Sequence, residues 1–173
     1  MSTADGRVIG TTQILHNGPA ASRWNLVIMG DGYQASQRGR YATDAQQFVT
    51  ALLATPPFDH LRRAINVFRI DVSSTDAGAD DPAACGGTGA KARTYFDATF
   101  CSGGIRRLLV VNTTTALQVA AARVPQFHMA MMMVNSTVYG GSGGQVAVFS
   151  RAGSQRDRSA RDGSHRFPAR GRV

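Results

Sequence analysis

The sequence has no glutamate; all 11 of its acidic residues are aspartate. As written, it cannot supply the His-Glu-x-x-His helix of zinc hydrolases, in which a Glu takes a proton from metal-bound water. His16, His60, His128 and His165 are scattered, and no two of them stand one helical turn apart. Lysine is almost missing: Lys91 is the only one among 19 basic residues, so the cationic chemistry is that of arginine. No apolar run is long enough to span a bilayer. The longest, MAMMMV at residues 129–134, has the length of a buried strand. The first ten residues lack the basic-then-apolar pattern of a secretory leader, and on that start the chain is expected in the cytoplasm. Cysteine is limited to Cys85 and Cys101, which bracket CGGTGAKARTYFDATFC. Two readings stand: a disulfide across that loop, worth about 3 kcal/mol through chain entropy and implying an oxidising compartment, or two buried thiols.

What remains is enough for one globular domain of 173 residues with 43% hydrophobic content. The net charge of +8 is uneven, because residues 151–173 hold seven Arg against two Asp. That composition reads as a disordered basic arm. Residues 1–10 read as an extension and 11–150 as the folded part.

WNLVIMG at residues 24–30 is a buried strand ended by Gly. Ser36 can cap a helix over residues 37–55, in which Tyr41, Ala45, Phe48, Val49, Leu52 and Leu53 form one apolar stripe. TPPF at 55–58 stops it. INVFRIDVSS at 65–74 alternates as a strand, with Ile65, Val67 and Phe68 inward. Residues 76–93 are loop. IRRLLVVN at 105–112 reads as a third strand or the end of a short helix. Residues 113–124 are Thr-capped and Ala-rich, hence helical. HMAMMMVNS is another buried strand, and YGGSGG turns into QVAVFS, a strand that pairs back. This alternation predicts an α/β sandwich with a mostly parallel mixed sheet and one edge hairpin.

Two motifs carry possible chemistry. GDGYQA at 30–35 satisfies the dinucleotide pattern G-x-G-x-x-A, but the acidic residue expected about 20 positions on is not there. The plain alternative is a tight strand-to-helix turn. GGSGG satisfies G-x-S-x-G, with Ser142 as nucleophile and Asp157 or Asp162 and then His165 in hydrolase order. That elbow must lead into a helix, whereas strand-like QVAVFS follows. The arginines of the tail would neutralise phosphates if nucleic acid bound, yet Phe167 is the only aromatic there for stacking.

ILHNGPAASRWNLVIMGDGY, PPFDHLRRAINVFRIDVSSTDAG, TYFDAT and above all VNSTVYGGSGGQVAVFS together resemble the IgA-peptidase family of zinc metallopeptidases. The resemblance covers residues 11–151. It implies a three-layer, zincin-like fold, zinc as cofactor, a secreted setting and a peptide or protein substrate. It also implies that the hairpin Tyr139, Gly140, Gly141, Ser142, Gly143 is a rim on which an extended substrate lies. In the family this hairpin precedes a helix bearing His-Glu-x-Gly-His, then Asp-Glu-Tyr.

At that place the chain reads SARDGSHRFPARGRV instead. Starting one base later, the codons of Ala160–Arg161 permit His, Arg161–Asp162 Glu, Asp162–Gly163 Met, Gly163–Ser164 Gly and Ser164–His165 His. Gly171, Arg172 and Val173 then permit Asp-Glu-Tyr. The expectation is a frame change between Arg151 and Asp157. The chain would then lack its zinc helix, bind no zinc, cleave nothing and tend to self-associate through uncovered apolar surface.

Overall fold

The computed structural model describes residues 5–152. Six strands form one sheet: β1 (Gly6–Leu15), β2 (Trp24–Asp31), β3 (Ile65–Ser74), β4 (Met129–Val134), β5 (Gly141–Ser142) and β6 (Val146–Ser150). Their order is β1-β3-β2-β4-β6-β5. The four inner strands, β3, β2, β4 and β6, run parallel, and the edge strands β1 and β5 are antiparallel to their neighbours. Among the described residues three helices pack with it: α1 (Arg38–Leu52), α2 (Phe58–Leu61) and α3 (Thr113–Arg123). It is an α/β fold on a mixed sheet.

Helices cover both faces, which explains the continuous apolar runs of the inner strands. On one face Tyr41, Ala45 and Val49 of α1 pack on Leu26, Ile28, Ile65, Val67 and Met133. On the other, Ala116 and Ala120 of α3 join Val27, Met29, Ile70, Ala130 and Met132. Residues of odd and even number in β2 thus face opposite layers, as strand geometry requires. Each large apolar side chain buried in this way contributes about 1.5–3 kcal/mol.

Several expectations need correction. Residues 6–10, assigned to an extension, belong to β1, which pairs with β3 from Gly6↔Ser74 to Leu15↔Val67. Phe68 lies on the α3 face, opposite Ile65 and Val67, because β3 is covered on both sides. The first turn before α1 is not closed by Ser36. Gln34 N–H donates to Gln37 Oε1 at 3.1 Å, a reciprocal Gln34–Gln37 cap on a short 3-10 turn. Residues 105–112 are neither strand nor helix. The sheet positions beside β4 are filled by β2 and β6, so this segment runs outside them, held by the bridges Thr99↔Val110 and Leu108↔Gly141. Leu109 is nevertheless fully buried.

The long connection between β3 and α3 carries the disulfide Cys85–Cys101, with Cα atoms 5.9 Å apart. Arg106 and Asp81 form an ion pair across it at 2.7 Å. No helix among the described residues is long and apolar enough to cross a membrane.

Candidate substrate-binding rim and strand ends

Tyr139 to Ser150 form the hairpin that sequence reasoning singles out. Gly141 pairs with Phe149 and Ser142 with Val148. Ser150 N–H donates to Gly140 O at 2.9 Å, and Gly140 N–H donates to Ser150 Oγ at 3.1 Å. The outer side of β5 is partly taken: Gly141 N–H donates to Arg107 O at 3.1 Å. An added strand could pair along this edge only from Ser142 onward.

The four glycines divide into two kinds. Gly140 is buried, and a Cβ there would lie 2.5 Å from Phe100 Cε1 and 2.8 Å from Arg107 O. At Gly141 a Cβ would lie 2.6 Å from Val148 O. Both are glycine because neighbouring chain comes too close for a side chain. Gly143 and Gly144 are exposed and face open space. Tyr139 is 47% exposed beside them.

Ser142 sits in a two-residue strand that turns back into β6, with no helix behind it. A nucleophile elbow needs that helix to hold the serine on a strained turn. Its proposed partners Asp157, Asp162 and His165 lie outside the described residues, as does nearly all of the basic tail. The GDGYQA turn is also filled. A Cβ at Gly30 would lie 2.8 Å from the Tyr41 ring, and Gly78 N–H donates to Gly32 O at 3.0 Å. Packing accounts for both glycines, and loop backbone occupies the space beside Gly32 where a pyrophosphate would approach.

At the carboxyl ends of the parallel strands lies a residue that sequence reasoning missed. Asp31 is fully buried and closes β2. It accepts from Thr94 Oγ1 at 2.8 Å, Ser74 Oγ at 3.1 Å, Ala98 N–H at 3.1 Å and Phe96 N–H at 3.2 Å. Burial pushes its carboxyl up to about 6, against the pull of these donors. The signal available was an acid ending an otherwise apolar strand. Nearby, Asn135 Nδ2 donates to Gly32 O at 2.9 Å and Gln37 Oε1 at 3.1 Å, joining β4 to the entry of α1.

His128 is structural: its Nδ1 accepts from Asn25 N–H at 3.1 Å. His16 and His60 are exposed. Among the described residues no three His, Cys, Asp or Glu side chains gather as a metal site. Directly after β6 the backbone becomes helical at residues 151–152, where Ala152 N–H donates to Ser136 O at 3.2 Å.

No curated protein matches the chain significantly. Its sequence does match the family profile described as IgA Peptidase M64 over residues 12–161, most of its length, and the chain belongs to this metallopeptidase family.

Proposed function

We propose that the chain is the scaffold-and-rim portion of a zinc-dependent endopeptidase domain, read out of frame from the segment that should form its active-site helix. The observation that carries this is the junction at Ser150. A parallel strand inside the sheet passes straight into a helical turn at residues 151–152, and the family places its active-site helix just after this hairpin. From there the chain contains no Glu, and Arg161-Asp162-Gly163-Ser164-His165 stands where the shifted frame permits Glu-Met-Gly-His.

Zinc belongs to the intact family, and the residues present do not fit it. Two imidazoles one turn apart and a carboxylate beside them are required, and this sequence offers neither. The chain as given therefore binds no catalytic zinc and hydrolyses no peptide bond. Tyr139, Gly140, Gly141, Ser142 and Gly143 keep the peptide-binding role in the restored protein, with Ser142 and Gly143 offering backbone to a substrate strand. Met131 of β4 and Phe149 of β6 are half-buried on the α1 face, where Phe149 stacks on Phe48 with ring centroids 4.6 Å apart, and a following helix would cover the part they leave exposed. Without it, they favour self-association.

Sequencing the gene across codons 150–173 tests the reading. Codons compatible with His-Glu-Met-Gly-His one base on support it, and incompatible ones end it. Proteolysis by the present chain that a chelator abolishes would also overturn it.

A further inference from the structure

The end of the sheet opposite the strand carboxyl termini carries an apolar socket with a cationic rim. Trp24 opens β2 and Ile65 opens β3, side by side in the parallel pair. Phe58 and Leu61 of α2 stand over them, and with Ala64 these residues enclose a hollow of about 260 Å³. The Trp24 and Phe58 rings are 6.5 Å apart, and Leu61 is 50% exposed. Next in the chain come Arg62 and Arg63, which line an adjoining groove of about 510 Å³ with Leu15, Asn17 and Leu53.

Asn17 ties together the backbone that carries this rim. Arg23 Nε donates to Asn17 O at 2.8 Å, and Asn17 Nδ2 donates to Arg62 O at 2.8 Å. The ion pairs among the described residues involve His60, Arg69, Arg93 and Arg106. Arg23, Arg62 and Arg63 have no carboxylate partner among the described residues. The acid close by in sequence, Asp59, turns its carboxylate to His60, and Arg62 Nε reaches only the Asp59 backbone carbonyl, at 3.3 Å.

We propose that this face binds an acidic peptide segment of a partner protein, with one bulky apolar side chain seated against Trp24 and Phe58 and flanking carboxylates on the arginines. Guanidinium groups pair carboxylates in a two-pronged geometry, and an aromatic-walled pocket takes the anchor. Charge selects this occupant over the alternatives within the chain. Residues 153–173 carry six Arg against two Asp, and a second copy presents the same three arginines. The surface is distinct from the rim hairpin: it stands at the amino ends of the inner strands β2 and β3, whereas the hairpin forms the β6–β5 edge.

Trp24 is the only tryptophan, so its emission reports the socket directly in the full chain. The probe is the peptide acetyl-Asp-Asp-Phe-Leu-Asp-Asp-amide, compared with its Asn-for-Asp and Arg-for-Asp counterparts. The expected result is a saturable shift in Trp24 emission with the acidic peptide. Binding weakens roughly tenfold as ionic strength rises and surface charges are screened. Arg62→Ser/Arg63→Ser, both exposed, weakens it about tenfold with an unchanged circular dichroism spectrum. Equal binding of the neutral or basic peptide, or no saturable shift, overturns the proposal. So does a shift caused by phosphatidylserine vesicles alone, which would assign a lipid surface. A peptide-free shift that depends on protein concentration would assign a second copy.

Discussion

Asp31 at the end of β2 accepts a hydrogen bond from Thr94 Oγ1 at 2.8 Å, 63 positions further along the chain. Through this contact and the Phe96 and Ala98 amides, one carboxylate holds the long connection against the carboxyl ends of the parallel strands. Because burial raises the folded pKa from 3.8 to about 6, ionising Asp31 is harder in the folded protein than in the unfolded one. The extra stability is therefore full below about pH 4 and is lost as pH rises through about 6. Urea midpoints should fall across that window by the equivalent of about 3 kcal/mol and then level off. Asp31→Asn should flatten the slope. A midpoint that rises with pH over this range would show that the four donors outweigh burial.

Asp31→Ala should behave differently. It leaves two buried amides and two buried hydroxyls without their acceptor, a loss of about 2–4 kcal/mol. Amide exchange at residues 94–98 should accelerate more than exchange in β4, because the clamp is local.

The two kinds of glycine in the hairpin should separate in mutagenesis. Gly140→Ala pushes a methyl into Phe100 and should destabilise the fold by about 1–3 kcal/mol, read from the thermal midpoint. Gly143→Ala faces open space and should leave that midpoint unchanged. In a frame-restored protein Gly143→Pro, which removes a backbone donor, should lower kcat/KM for a peptide substrate while stability holds.

Replacing Cys85 and Cys101 by Ser should destabilise the domain by about 3 kcal/mol, comparable to adding reductant to the parent. If reductant and substitution differ in effect, the pair does more than shorten the unfolded chain.

Moving the frame by one base between codons 151 and 157 should create stoichiometric zinc binding and chelator-sensitive proteolysis. The parent chain should show neither. Metal analysis and a protein substrate assay on the matched pair check this.

Much of the scaffold is legible in the sequence, because the cues are local. WNLVIMG and MAMMMV are apolar throughout, which only a strand covered on both faces sustains. The α1 stripe carries the helical period. β1 escapes notice because GRVIGTTQIL is an edge strand, half polar and interrupted at two register shifts. Residues 105–112 mislead for the opposite reason: Leu109 is buried, yet burial there comes from a bridged loop and not from a strand. The Asp31 clamp could not be read, since its donors are brought to it only by tertiary folding. Likewise the string of hairpin glycines looks uniform until Phe100 and Val148 are seen against two of them.

The strand order has a consequence for synthesis. Among the described residues β6 is the last strand made, yet it is threaded between β4 and β5. A ribosome that stalls before Val146 releases a chain whose β4 has a raw edge and whose hairpin has no mate. One that proceeds past Ser150 has already delivered all six strands of the described residues. Frame errors thus fall into two classes either side of that codon: those upstream remove a strand from the middle of the sheet, and those downstream leave its six described strands intact.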